Sequence, residues 1–200
     1  MTFPMLEPTQ CRNRPLCRRY FLCVFNVAVL RWTEGADAQD RIVHWALGWL
    51  IDGECESLGA WIEPAGGAHD LSWLIADLKI RGVERIWYAT GTFIEPFQEQ
   101  IAAAFSSKTA RDSVRRVVGE VMAESRWRGI RTPEHVAEEV RGTLTRALRR
   151  HGRFFESEAA GLDFVAGALQ RAERRLDRAW AMATLSPRHD PAARAVAPAI

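Results

Sequence analysis

Cysteine is sparse in this chain and poorly spaced for chemistry. Cys11, Cys17, Cys23 and Cys55 form no Cys-x-x-Cys pair, and no secretory context accompanies them. That excludes the usual zinc and disulfide frameworks and leaves four free thiols, as expected in a reducing cytoplasm. Long apolar runs are also missing. The longest, residues 20–30, is too short to cross a bilayer, and no signal-peptide pattern precedes it, so neither membrane insertion nor export is expected. Lysine is almost absent: Lys79 and Lys108 are the only two among 27 cationic residues. The five histidines show no His-x-x-x-His spacing, so His44, His69, His135, His151 and His189 offer no metal or general-base constellation.

What is present describes an ordinary globular chain. Its 200 residues are 48% hydrophobic and 26% charged, enough for one domain with a sizeable core plus helical extensions. The net charge of +2 is weak evidence about partners. Arginine suits bidentate phosphate contacts, although a GC-rich genome enriches it too.

Residues 1–19 carry Pro4, Pro8 and Pro15 without an apolar period and read as a disordered leader. Residues 20–32 are nearly all apolar, β-branched or aromatic, as in a strand covered on both faces. Residues 33–40 read as a polar loop around Gly35. Two strands, 41–51 and 54–62, meet at Asp52-Gly53, the dipeptide suited to a two-residue type I′ turn. Leu71, Leu74, Ile75 and Leu78 recur at helical spacing over residues 69–81, and Gly82 is placed to cap that helix. A strand over 83–89 follows, reached by a crossover that would make it parallel to an earlier one. Further helices are predicted over 95–105, 111–125, 133–150 and 156–180, with Pro133 at a first helical position. Past Ser186 the Pro- and Ala-rich tail reads as disordered.

The stretch from Leu47 to Trp61, with the helix, Arg81-Gly82-Val83 and the strand behind it, resembles the catalytic core of Mutator-type bacterial insertion-sequence transposases. Sequence pattern alone reaches only an α+β or α/β chain. The resemblance implies a ribonuclease H-like α/β core: three antiparallel strands, a helix, a parallel strand and a helix. The implied organisation is a leader over 1–19, the core over 20–109, a helical region completing it over 110–185, and a tail over 186–200.

In that family an acid on the first strand, an acid just after the fourth, and a glutamate on a later helix hold two divalent metal ions. The ions, magnesium or manganese, drive phosphodiester cleavage and strand transfer. Aligned on this pattern, Asn26 stands at the first acid. Residues 92–101 resemble the segment after the fourth strand through Phe97, Glu99 and Ile101, with Thr92 at the second acid. The family's Cys-x-x-His pair falls near Val114 and Val117, and neither residue is kept. The sequence then passes to His135-Val136-Ala137-Glu138-Glu139-Val140, which is similar to the family's glutamate helix. The register continues through Arg149-Arg150-His151-Gly152-Arg153-Phe154 and Ser157-Glu158-Ala159-Ala160. Glu138 is therefore the candidate for a retained third acid. The family's long helical insertion and the several-helix region that binds terminal repeats have no counterpart, so sequence-specific DNA recognition is not expected.

These readings compete with plainer ones. Asn26 can serve as a buried strand residue with a local hydrogen bond, and Glu138 as part of a solvated helix face. Asp52 is explained by its turn, and Asp37 and Asp40 fall in the predicted loop. Trp45, Trp49 and Trp61 are expected to pack in the core or an interface. The expectation is a transposase-like chain that binds no metal and is inactive; the alternative is a non-catalytic DNA-binding or interaction module. Arg146, Arg149, Arg150 and Arg153, within a wider run of arginines, are the candidate contacts to DNA of any sequence. Apolar surface left by the missing insertion could make the chain a homo-oligomer.

Overall fold

The computed structural model describes residues 14–34, 37–50, 54–64, 70–91, 97–105, 133–152 and 154–185. Thr92, Asp52, Gly53, Cys11, Arg153, the predicted helix over 111–125, most of the predicted leader and the tail lie outside these residues.

A mixed five-stranded sheet carries helices on both faces, which makes the chain α/β. Strands β1 (Arg19–Glu34), β2 (Asp37–Trp49) and β3 (Cys55–Ile62) form an antiparallel meander. Helix α1 (Ser72–Ile80) leads to β4 (Arg85–Thr90), which lies parallel to β1, as the crossover predicted. Helices α2 (Gln98–Phe105), α3 (Pro133–His151) and α4 (Glu158–Leu185) follow. The strand order is β3-β2-β1-β4. The two-residue strand β5 (Phe154–Phe155) pairs with the far end of β1, at Arg31 and Trp32.

Over residues 20–26 both faces of β1 are buried, which explains the apolar run there; beyond Asn26 one face turns to solvent at Val29 and Arg31. Leu22, Val24, Leu30 and Trp32 join Trp45 and Leu47 beneath Val140, Leu144 and Leu148 of α3 and Val165 and Leu169 of α4. Cys23 and Phe25 face the opposite layer, with Leu74 and Leu78 of α1 and Ile101 and Phe105 of α2. Helix α1 ends as its glycine predicted. Gly82 takes φ +105°, its N–H donates to Lys79 O (3.0 Å), and Val83 N–H donates to Leu78 O (2.9 Å). Those two bonds form a Schellman cap, with Val83 and Leu78 sharing one apolar cluster.

The hairpins differ from expectation. The predicted loop over 33–40 is mostly strand: β1 and β2 pair out to Glu34 opposite Asp37, leaving two residues between them. Its polar residues are explained by cross-strand pairing, for Arg31 faces Asp40 and both side chains are exposed. At the second hairpin Trp49 pairs with Cys55, and Leu50 N–H donates to Glu54 O (2.9 Å), so three residues separate the paired positions. The two-residue turn predicted from Asp52-Gly53 is thus one residue short.

Residues 14–18, assigned by sequence to the leader, are held against the core. Leu16 is buried, its N–H donates to Arg81 O (2.8 Å), and Arg18 O accepts from the N–H groups of Glu84 (2.8 Å) and Arg85 (3.0 Å).

Candidate functional site

The three positions singled out by sequence have different surroundings. Asn26 lies on β1 only 2% exposed, two residues beyond Val24–Thr90, the last pair of the parallel β1–β4 ladder. Beside it the chain leaving β4 is pressed against β1. At Gly91 (φ +140°) a Cβ would fall 1.7 Å from Phe25 O. Position 26 therefore stands at the fork where β4 leaves the sheet, the kind of strand end at which α/β proteins build sites.

Among the described residues, that fork presents an amide and an indole. Asn26 Oδ1 accepts a hydrogen bond from the adjacent Val27 N–H (2.8 Å). Its cross-strand partner Trp45 is fully buried, and the Trp45 indole N–H has no acceptor among the described residues. A layer offering an amide and an indole donor does not suit magnesium or manganese, which require several oxygen ligands with carboxylates among them.

Glu138 lies on α3, two residues before the buried Val140, and its side chain is 56% exposed. Arg141 donates to both of its carboxylate oxygens, one contact at 3.0 Å, and this pairing holds Glu138 below the ordinary carboxylate range. Among the described residues no group of three or more His, Cys, Asp or Glu side chains is arranged to hold an ion. Asn26 and Glu138 thus do not fit a two-metal centre, and Thr92 lies outside the described residues.

The arginines are better disposed for contact. Arg146, Arg149 and Arg150 are exposed on α3, while Leu144 and Leu148 are buried. Arg146 Nη2 donates to Thr143 Oγ1 (3.1 Å). Arg149, Arg150 and His151 also occupy the last turn, where cations complement the helix dipole. On α4, Arg171, Arg174 and Arg175 are exposed as well, and Arg175 lies 3.6 Å from Glu139 of α3. Each of the two helices thus carries exposed basic side chains.

Sequence reasoning missed three buried polar groups. Arg81, 8% exposed, donates to Leu58 O (2.5 Å), Arg14 O (3.1 Å) and Asp77 Oδ2 (3.2 Å). His44, 3% exposed, donates from Nε2 to Glu63 Oε2 (2.8 Å) and meets Trp73 edge to face. Burial lowers its pKa below 6.5, against the opposing pull of Glu63. Tyr20 donates to Glu56, and burial raises its pKa, with the Glu56 hydrogen bond adding to the shift.

Comparison with known proteins accords with the pattern in the residues. The family described as "Transposase, Mutator family" matches residues 7–125. The "Transposase for insertion sequence element ISRM3" of Rhizobium meliloti (strain 1021) is 28% identical over 148 residues, 74% of this chain and 34% of that protein. The "Probable transposase for insertion sequence element ISRM3-like" of Sinorhizobium fredii (strain NBRC 101917 / NGR234) is 33% identical over 94 residues, 47% of this chain and 24% of that protein. The chain thus spans about a third or less of the length of the relatives it matches.

Proposed function

Since the chain belongs to the Mutator family of transposases, we propose that it keeps the family's scaffold, contacts DNA, and does not cut it. The observation that carries this reading is Asn26, a buried neutral amide engaged by its own neighbour where the family pattern has an acid. Glu138, the one acid of that pattern aligned here, is turned to solvent and neutralised by Arg141. The order β3-β2-β1-β4, with three antiparallel strands, a helix, and a fourth strand parallel to β1, supports reading the sheet as a ribonuclease H-like core.

Without a metal centre the remaining capability is electrostatic. Exposed Arg146, Arg149 and Arg150 can neutralise phosphates and release condensed counterions, which gives sequence-independent affinity that falls with salt. Two measurements test the proposal. Supercoiled plasmid incubated with the chain in magnesium or manganese remains uncut; metal-dependent nicking lost in Glu138→Ala contradicts the proposal. Binding to unrelated duplexes is expected to be equal. Replacing the three arginines by glutamine should flatten the salt dependence by about 2 to 3 units of slope, roughly 0.9 per lost phosphate contact. No binding at low salt refutes DNA contact while leaving the scaffold reading intact.

A further inference from the structure

Among the described residues four large apolar side chains are exposed, Val29, Ile42, Ile80 and Phe154, and the register puts three of them on one face of the sheet. Val29 lies directly opposite Ile42. Phe154 lies directly opposite Arg31, which shares a face with Val29 because alternate strand residues do. The neighbouring pair, Trp32 and Phe155, takes the other face and is buried in the layer of α3 and α4. Helices α1 and α2 lie on the same side as Phe154, but they pack against Tyr20, Cys23 and Phe25 toward the opposite end of β1. The end that carries Val29, Ile42 and Phe154 is therefore left open among the described residues.

Phe154 is the one aromatic ring of this group, and its backbone is firmly held. Strand β5 pairs with β1, and the next residue, Phe155, is packed between the His151 ring, stacked on it at 4.6 Å, and the Phe164 ring at 5.3 Å. The Arg31 guanidinium lies over the Phe154 ring, 5.9 Å from its centre, and is oriented by two bonds to Asp40 (2.5 and 2.8 Å). Phe154 nevertheless stays 53% exposed. It also follows the basic end of α3. Arg149 and Arg150 are exposed, and among the described residues neither meets a carboxylate. Gly152 turns the chain there with φ +85°, its N–H donating to Arg149 O (3.3 Å), and β5 begins two residues later. Four residues of chain span at most about 14 Å, so the backbone of Arg150 lies within that reach of Phe154.

We propose that Phe154 is a stacking platform for an unpaired base of single-stranded DNA whose phosphates are held by Arg149 and Arg150. This rests on the reading of the chain as a DNA-contacting one, and it names the form of DNA that this end of the molecule takes. An apolar face alone would suit a protein, but two neighbouring cations without counter-ions favour a polyanion. A duplex keeps its base faces inside the stack, whereas a single strand offers a π-face at every nucleotide. The base extends a stack begun by the Arg31 guanidinium, whose charge Asp40 balances, and Val29 and Ile42 supply apolar contact beside it. Stacking of this kind accepts any base, so no sequence preference accompanies it.

Fluorescence anisotropy of a labelled oligothymidine and of a duplex of equal length, each titrated with the full chain, tests this. Phe154→Ala should weaken the single strand about fivefold or more and the duplex less than about twofold. Phe154→Trp should keep the single strand bound. An abasic strand, which has the phosphates without the bases, should bind the native chain and Phe154→Ala alike. Replacing Arg149 and Arg150 by glutamine should weaken both forms of DNA. If Phe154→Ala does not fold, Phe154→Leu, which keeps an apolar side chain without a π-face, carries the same expectation. The proposal is overturned if the folded variants bind the single strand undiminished, or if the abasic strand is as sensitive to Phe154→Ala as the oligothymidine. A dimer in sedimentation that Val29→Glu dissociates also overturns it, by making the occupant of this face a second copy. Binding of neither form at low salt removes the DNA reading together with this proposal, whereas duplex binding with a single strand indifferent to position 154 removes this proposal alone.

Discussion

At position 26 an amide is compatible with its surroundings in a way that a carboxylate is not. The side chain is buried beside Val24 and opposite Trp45, and its oxygen receives one backbone N–H. An ionised aspartate there would lose its hydration without gaining a cation, so Asn26→Asp should cost about 1–3 kcal/mol at pH 7. The buried carboxyl would have a raised pKa, so the deficit should shrink as pH falls toward 4, and unfolding midpoints at several pH values would show it. His44 titrates with the opposite dependence. Its native pKa lies below 6.5, so the unfolded chain takes up the proton first. The stability this contributes is complete above about pH 6.5 and is lost as pH falls through the native value. Midpoints measured from pH 7.5 to 5 should decline for the native chain and decline less for His44→Gln.

At the scale of elements, the sequence revealed segments well and their joins poorly. Helix α1 and its glycine cap were legible because periodicity and Gly82 agree, and β1 was legible because both of its faces are buried over residues 20–26. The tip of the β1–β2 hairpin was not, since its exposed Arg31 and Asp40 look like loop residues until they are known to face each other. Residues 14–18 were hidden for a related reason: their hold on the core comes from backbone hydrogen bonds, polar side-chain bonds of Arg14 and Arg18, and the apolar contact of Leu16. Strand β5 is two residues long and leaves no periodic trace. Gly91 shows how tightly one join is built. Gly91→Ala would force a Cβ into Phe25 O and strain a positive φ, and should cost about 2–6 kcal/mol in chemical denaturation. A change below about 0.5 kcal/mol would mean that β4 does not leave the sheet against Phe25.

For the molecule as a whole, the succession of three antiparallel strands, a helix, a parallel strand and a helix was legible in the sequence, whereas the strand order in the sheet and the helices on its two faces came only from the structure. The candidate site was only partly legible. Sequence could show an amide at position 26 and an acid at position 138. It could not show that one is sealed in an apolar layer and the other paired with Arg141 in solvent. Those facts, more than residue identity, support the account's central proposal: a folded family member that holds no metal. The most direct test is thermal unfolding of the purified chain, followed by tryptophan fluorescence in chelator, magnesium and manganese. An ion that binds only the folded state raises the midpoint by mass action. The account expects one cooperative transition with the same midpoint in all three conditions. A midpoint raised by manganese in the native chain but not in Glu138→Ala would contradict it.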